Sequence, residues 1–229
     1  MFLDFYGTLV HEDDDIIPGI CEQLHAKSAG DCTAEEIGRY WWGTFSAMCS
    51  GSSGASFRTQ RELGVRSLAE TARRFGARAE IIELIAPQFR HWSQPVLFED
   101  TKPFLQVFNG RIPVYILSNI DTEDVTAAAR YHGLEVTGIV TSEDVRAYKP
   151  RPELFLEGMR QAGVRPGEAL HVGDSLISDV MGAGQAGIRA VWLNRRNRPG
   201  REGIAPAFSC RSLDEVAAFV LAELAEGMP

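Results

Sequence analysis

The sequence predicts an α/β fold: a parallel β-sheet core with an inserted α-helical domain. Three observations predict it. From Pro103 onward, short apolar runs alternate with stretches of helical periodicity, the pattern of parallel strands joined by helical crossovers. One further apolar run stands alone at the start of the chain, around Phe2 and Leu3. Between the two, residues 16–92 read as helix and contain no convincing strand. The expected division is a core of residues 1–10 and 100–229 and a helical domain of residues 16–92, with linkers near 10–16 and 92–103.

The first stretch, Phe2-Leu3-Asp4-Phe5-Tyr6-Gly7-Thr8-Leu9-Val10, delivers one carboxylate to a turn. Gly7 accepts positive φ at little steric cost, so the chain can reverse directly after the acid. Ligands of open α/β sheets sit outside the carboxyl ends of strands, which is where Asp4 falls. Taken alone, an aspartate that caps a turn reads equally well. Only Met1, Phe2 and Leu3 precede Asp4. That is short for a buried central strand, so either the strand is clipped or the natural chain begins upstream.

The insert opens after an acidic run, His11-Glu12-Asp13-Asp14-Asp15, which reads as a solvated loop. Ile16, Ile17, Ile20 and Leu24 recur at helical spacing, with Gly30 as a stop. Thr33-x-x-Glu36 is a capping-box pattern at the head of a helix through Trp41, Trp42 and Phe45. Residues 50–54 read as a loop. Leu63, Leu68, Ala72 and Phe75 mark a third helix, and Ile81, Ile82, Leu84 and Ile85 a fourth that ends before Pro87.

In the core, residues 104–108 form a short helix and residues 114–117 a strand buried on both faces. Asp121 is expected to N-cap the next helix, with Glu123 and Asp124 in its first turn. Residues 138–141, 169–172 and 190–193 are the remaining strands, and helices occupy 152–162 and about 178–187. Residues 194–206 make a basic loop, whose Arg195-Arg196-x-Arg198 reads as solvated in preference to anion-binding. Ser212-x-x-Glu215 caps a final amphipathic helix.

A chain of 229 residues fits one domain with an insert, or one large and one small domain. Its 45% hydrophobic content supports a core. The net charge of -8 excludes a nucleic-acid footprint and disfavours an anionic membrane surface, so no partner of either kind is expected. Cys21, Cys32, Cys49 and Cys210 lack metal-site spacing and read as reduced thiols. The apolar runs are too short and too interrupted to span a membrane, and a cytoplasmic protein acting on a small molecule is expected. The sequence leaves the oligomeric state open.

Polar groups recur at the carboxyl ends of the predicted strands: Asp4, Ser118 with Asn119, Lys149, and Asp174 with Asp179. In a parallel sheet these ends share one edge, and coincidence at four of them is much less probable than at one. Asp4 and Asp174 are hard oxygen ligands suited to Mg²⁺, and Asp179 can join or support that site. Lys149 supplies fixed positive charge that orients Asp4 and a phosphate. Ser118 and Asn119 can donate hydrogen bonds to phosphoryl oxygens, and Asp4 stands as a covalent nucleophile.

These motifs resemble the haloacid dehalogenase (HAD) superfamily of hydrolases. The first motif is Asp4-Phe5-Tyr6-Gly7-Thr8-Leu9 and the second Leu117-Ser118-Asn119. The third is Tyr148-Lys149-Pro150-Arg151-Pro152 with Phe155. The fourth is His171-Val172-Gly173-Asp174-Ser175 with Asp179, then Gly182-Ala183 and Ala186-Gly187-Ile188. The resemblance implies a Rossmann-like core, a helical cap that closes over the site, and an aspartyl intermediate. It also implies Mg²⁺ held by Asp4, the Tyr6 backbone carbonyl, Asp174 and Asp179.

One departure matters most. Phosphatases of this family carry a second aspartate two positions after the nucleophile, which protonates the leaving group and then activates water; here that position is Tyr6. Tyrosine can donate a proton but is a poor base near neutrality. The pattern Asp-x-Tyr-Gly-Thr is that of the metal-independent 2-haloacid dehalogenases. Those enzymes carry a tyrosine where Phe155 stands and a halide-gripping cap arginine, for which Arg39 is the nearest candidate. Asp174 with Asp179 instead resembles the phosphatase version, and Asp174 has no evident use without a cation. The expectation is therefore a Mg²⁺-dependent phosphatase, with Asp4, Tyr6, Ser118, Asn119 and Lys149 as its catalytic set. A 2-haloacid dehalogenase and a catalytically weak binding or regulatory protein are the alternatives.

Overall fold

The computed structural model describes residues 1–227. Six strands form one parallel sheet: β1 (Phe2–Leu3), β2 (Tyr115–Ser118), β3 (Gly138–Thr141), β4 (Leu170–Gly173), β5 (Arg189–Leu193) and β6 (Phe208–Cys210). Their order is β3-β2-β1-β4-β5-β6. The two residues of β1 pair with both neighbours, Phe2 opposite Tyr115 and His171, and Leu3 opposite Ile116 and Val172. Alternation sends these residues to opposite layers. Leu3 joins Ile116, Val172 and Val191 under the helices α5 (Thr101–Phe108) and Leu213–Ala225. Phe2 joins Leu117 and Val140 under the helix Glu153–Ala162. Every residue of β2 and β4 is buried, as in sheets covered on both faces.

Between β1 and β2 run four helices, α1 (Ile17–His25), α2 (Ala34–Gly51), α3 (Gln60–Arg74) and α4 (Ile81–Ser93). They bury an apolar cluster of their own, including Ile20, Leu24, Ile37, Trp41, Leu68 and Ile85. The capping box at Thr33 and Glu36 is formed. The two crossings between helices and sheet pair with each other: His11 N donates to Val96 O (2.8 Å) and Phe98 N to Leu9 O (3.2 Å). The helices meet loops at the carboxyl edge of the sheet. The Tyr148 hydroxyl donates to Arg58 O, and the Arg61 guanidinium holds Asp124 of α6 (Thr122–His132) through both carboxylate oxygens.

Four details differ from the sequence expectation. Helix α2 continues through Ser50 and Gly51, which read as loop in the sequence. Packing against α3 offsets the ~1 kcal/mol propensity cost of glycine. Pro87 lies inside α4, because the buried stripe of Leu84 and Ile85 continues past it to Gln88 and Trp92. Strand β6 was not foreseen: three residues on a sheet edge leave too short a pattern to register. Asp121 does not cap its own helix. Its carboxylate accepts from Gln60 N (2.6 Å) and Arg61 N (3.0 Å), the exposed donors at the head of α3.

Candidate active site at the sheet switch point

The strand order reverses between β1 and β4, the place where open α/β sheets bind ligands. Asp4 leaves β1 and Asp174 leaves β4, so the two carboxylates flank that crevice. Asp4 N donates to Val172 O (2.9 Å), which extends the β1–β4 ladder to the acid itself. Gly7 follows with φ +84°, and a Cβ there would lie 2.8 Å from Asp174 Cγ. The missing side chain thus lets Asp174 press against the Tyr6-Gly7 backbone. Gly173 serves in the same way, since its Cβ would fall 2.2 Å from Asp179 Cγ.

Lys149 ties the cluster together from the loop after β3. All three ammonium protons are engaged: Asp4 Oδ1 (2.7 Å), Asp179 Oδ1 (2.7 Å) and Leu117 O (2.9 Å). The other oxygen of Asp4 accepts from Thr8 Oγ1 (3.2 Å). Carboxylate oxygens of Asp4, Asp174 and Asp179 lie within 4.8 Å of one another. Ser118 is buried and makes no side-chain hydrogen bond among the described residues, so its hydroxyl remains free.

Three predicted site residues occupy roles other than those read from sequence. Asn119 accepts from Lys149 N (2.7 Å) through Oδ1 and donates to Lys149 O (3.1 Å) through Nδ2. It positions the lysine backbone and keeps one amide hydrogen for anything else. Asp179 has both oxygens occupied, by Lys149 and His171 Nε2 (3.0 Å) on Oδ1 and by Ser175 N (2.9 Å) on Oδ2. It fixes Lys149, and Oδ2, with one donor, keeps a lone pair on the side of the acid cluster. The Tyr6 hydroxyl donates to Trp92 O on α4, so its proton is already committed. The Tyr6 carbonyl, by contrast, accepts no hydrogen bond among the described residues. Arg39 is exposed and pairs with Glu35 on its own helix at 3.5 Å.

Several participants were missed in the sequence. Thr8, four residues after Asp4, was inside the quoted motif but given no role. His171, fully buried in β4, bonds Asp179 while its Nδ1 has no partner. The arginines of the basic loop are paired, although Arg196 and Arg198 stay exposed to water. Arg195 holds Asp100 and the Thr8 carbonyl, Arg196 pairs with Glu12 and Asp14, and Arg198 reaches Asp174 Oδ2 (2.7 Å). Pairing of a basic loop with acids almost two hundred residues earlier leaves no periodic signal; only charge complementarity hinted at it.

Burial governs the electrostatics. It lifts Asp4 to about 7 against the attraction of Lys149, with Asp179 and Asp174 adding repulsion. Asp174 also rises to about 7 through burial, then through Asp179 and Glu12, with Arg198 opposing. Burial opposes ionisation of Asp179 too, but Lys149 and His171 overcome it and hold the group well below the usual carboxylate range. Burial depresses His171, which stays neutral with its proton on Nε2, facing Asp179. Tyr6 is pushed up by burial and then by Asp124, Asp13 and Asp4, so it is no base near neutrality.

The residues present suit a hard divalent cation. Asp4 and Asp174 are both lifted by burial and by neighbouring acids, and the carbonyl of Tyr6, two residues after Asp4, accepts no hydrogen bond among the described residues; such oxygen donors hold Mg²⁺.

The fold is that of a parallel α/β protein with an acid cluster at its switch point, and comparison with known proteins makes it a hydrolase. The family model described as haloacid dehalogenase-like hydrolase matches residues 1–187, and the chain belongs to that family. Among curated relatives, a phosphoserine phosphatase of Thermus thermophilus is 32% identical over 146 residues, 62% of this chain and 58% of that protein. The pyrimidine 5'-nucleotidase YjjG of Escherichia coli is 40% identical over 34% of this chain and 35% of its own length. The chain thus spans less than two thirds of these relatives. The L-2-haloacid dehalogenase of Xanthobacter autotrophicus shares the fold, with a TM-score of 0.75 at 18% identity over 96% of this chain and 97% of that one. So does the magnesium-bound hydrolase YfnB of Bacillus subtilis, with a TM-score of 0.74 at 20% identity over 96% of both chains.

Proposed function

We propose that this chain is a Mg²⁺-dependent phosphatase that attacks a small phosphorylated metabolite with Asp4 and passes through an aspartyl-phosphate. The observation that carries the reading is Asp174, held at the end of β4 against the Tyr6-Gly7 turn and within ligand reach of Asp4. The names of the two curated relatives, a phosphoserine phosphatase and a pyrimidine 5'-nucleotidase, and the magnesium bound to YfnB support it. Asp4, the Tyr6 carbonyl and Asp174 would hold the cation. Once bound, it supplies charge neutralisation and orientation of the transferring phosphoryl group.

The chain's own residues do the rest. Lys149 fixes Asp4 Oδ1, so Oδ2 is the attacking oxygen, steered by Thr8. Ser118 and the remaining Asn119 hydrogen receive phosphoryl oxygens. Residues 16–92 act as a cap whose closure, latched by Arg61 on Asp124, excludes water. Against the net charge of -8, Lys149 and the cation supply the local positive charge that an anionic small molecule needs. No helix among the described residues is long and apolar enough to cross a membrane.

The decisive assay measures phosphate and halide release from matched substrates, with and without chelator. Phosphate release abolished by chelator is expected. Halide release that persists in chelator, with no phosphate release, would overturn the reading in favour of a 2-haloacid dehalogenase. Two observations favour that second reading: Tyr6 stands where the acid/base aspartate belongs, and Arg198 already gives Asp174 a cationic partner.

Mg²⁺ is expected to raise the melting temperature by mass action, and more at pH 8 than at pH 5.5. Asp4 and Asp174 titrate near 7 in the folded protein, against 3.8 as the ordinary value. Between these values the folded state binds more protons than the unfolded one. Their contribution to metal-free stability therefore falls as pH rises from about 4 to 7 and stays low above it. Protons and cation compete for the same oxygens. Asp174→Asn should remove most of the shift; an equal shift at both pH values in the parent would contradict the site.

Tyr6→Asp is expected to raise turnover of alkyl phosphates by ~10²-fold, the lower end of general acid–base assistance. It should also cost about 1–3 kcal/mol, because the buried Trp92 carbonyl loses its donor. Steady-state rates on an alkyl and an aryl phosphate check this. The parent should favour the aryl ester, whose leaving group needs no proton, and the variant should narrow the gap.

A further inference from the structure

The carboxylate of Asp174 has one partner among the described residues, and it belongs to the loop after β5. Arg198 Nη2 lies 2.7 Å from Asp174 Oδ2 and 2.6 Å from the Asp174 carbonyl. The loop is built to present this guanidinium. Asn194 clamps the Arg198 backbone at both ends, accepting from its N–H (2.8 Å) and donating to its C=O (2.8 Å). Asn197 turns the chain with φ +52°. The base of the turn is pinned by Arg195, bidentate on Asp100 (2.9 Å to each oxygen) and stacked over the Phe98 ring at 3.9 Å. Arg196 ties the same loop to Glu12 and Asp14.

We propose that Arg198 is a tethered counter-ion of Asp174 that exchanges with the divalent cation, so that metal binding and release of the 194–198 turn are one event. The inference rests on the magnesium reading above and goes beyond it by naming what the cation displaces. Charge balance supports exchange over joint occupancy. Asp4, Asp174 and Asp179 face two cations, Lys149 and Arg198, which leaves the cluster one negative charge in excess. Replacing the guanidinium by a divalent cation makes it neutral, whereas keeping both makes it positive. The exposures agree: the Asp174 side chain is 14% exposed and that of Arg198 44%, so the arginine can leave to water while the acid stays. Lys149 is 2% exposed and cannot.

The test is calorimetric titration of MgCl₂ into the parent, Arg198→Ala and Arg196→Ala, with amide hydrogen exchange of residues 194–200 followed in the parent. Arg198→Ala is expected to tighten the Mg²⁺ Kd by about five-fold, the scale of a partly exposed ion pair. Arg196→Ala, which leaves Asp174 its partner, should change it by less than about two-fold. In the parent, Mg²⁺ should accelerate exchange at Arg198, whose N–H is held by Asn194. An unchanged or weaker Kd in Arg198→Ala overturns the exchange, as does equal tightening in Arg196→Ala, which would reveal a diffuse field effect. Mg²⁺ binding to the parent with no faster exchange in the turn overturns it as well. Failure of all three proteins to bind Mg²⁺ at millimolar concentration removes the metal reading itself, and this inference with it.

Discussion

Asp4→Asn is expected to abolish turnover, by about 10⁴–10⁶-fold, the scale of losing a covalent nucleophile, and to leave the protein at least as stable at pH 8. The two effects have one origin. Asp4 is buried beside Asp174 and Asp179, and its acid is lifted to about 7. At pH 8 the folded protein carries a carboxylate that the unfolded chain ionises far more easily, so this charge opposes folding. Asparagine has the same shape, removes the charge and still accepts from Lys149, which retains Asp179 as its ionic partner. Rapid-quench trapping of the phosphorylated protein, with thermal melts of parent and variant at pH 8, checks both parts. A variant that keeps activity, or that melts well below the parent, would mean that Asp4 serves structure and not chemistry.

Lys149→Met has the largest expected effect on stability, a loss of about 3–5 kcal/mol, because it strips the cation from a buried pair and leaves two carboxylates behind. Methionine fills a similar volume, so the loss reports charge and not a cavity. The loss should be smaller at pH 5 than at pH 8, since Asp4 takes up a proton below about 7 and part of the repulsion disappears. Adding Asp179→Asn should recover part of the stability, because one orphaned charge is then removed. Urea unfolding at the two pH values measures all three quantities. A Lys149→Met protein within 1 kcal/mol of the parent, on the order of a surface ion pair, would show that the triad does not hold the fold.

The closed arrangement of helices on sheet follows the same logic. Asp124 is 1% exposed and is held by Arg61, which also stacks on Phe89 at 4.6 Å. Opening the helices would separate that pair, and the Tyr6 hydroxyl would leave the Trp92 carbonyl. If residues 16–92 act as the proposed cap, entry of substrate would break contacts that span residues 61 to 124 and 6 to 92. Tyr6 would then serve the closed state, which is a different task from the acid–base work of the aspartate it replaces.

The sequence by itself determined the α/β class, most strand and helix positions, and the acids at strand ends. Those features are local. Buried parallel strands are short apolar runs, helix heads carry their caps within four residues, and a glycine after Asp4 marks its turn wherever the chain folds. The tertiary structure alone decided what each polar group bonds to. Asp121 caps a helix that begins at Gln60, not its own. Asn119 spends its amide on Lys149, Asp179 spends both oxygens on Lys149, His171 and Ser175, and Tyr6 gives its proton to Trp92. Arg198, which reads as solvated in the sequence, sits on Asp174. A side chain advertises its donors and acceptors in its identity, but its partner is fixed by which loops the sheet order brings together. Here that order puts the ends of β1 and β4 side by side, and neither stretch of sequence contains the other.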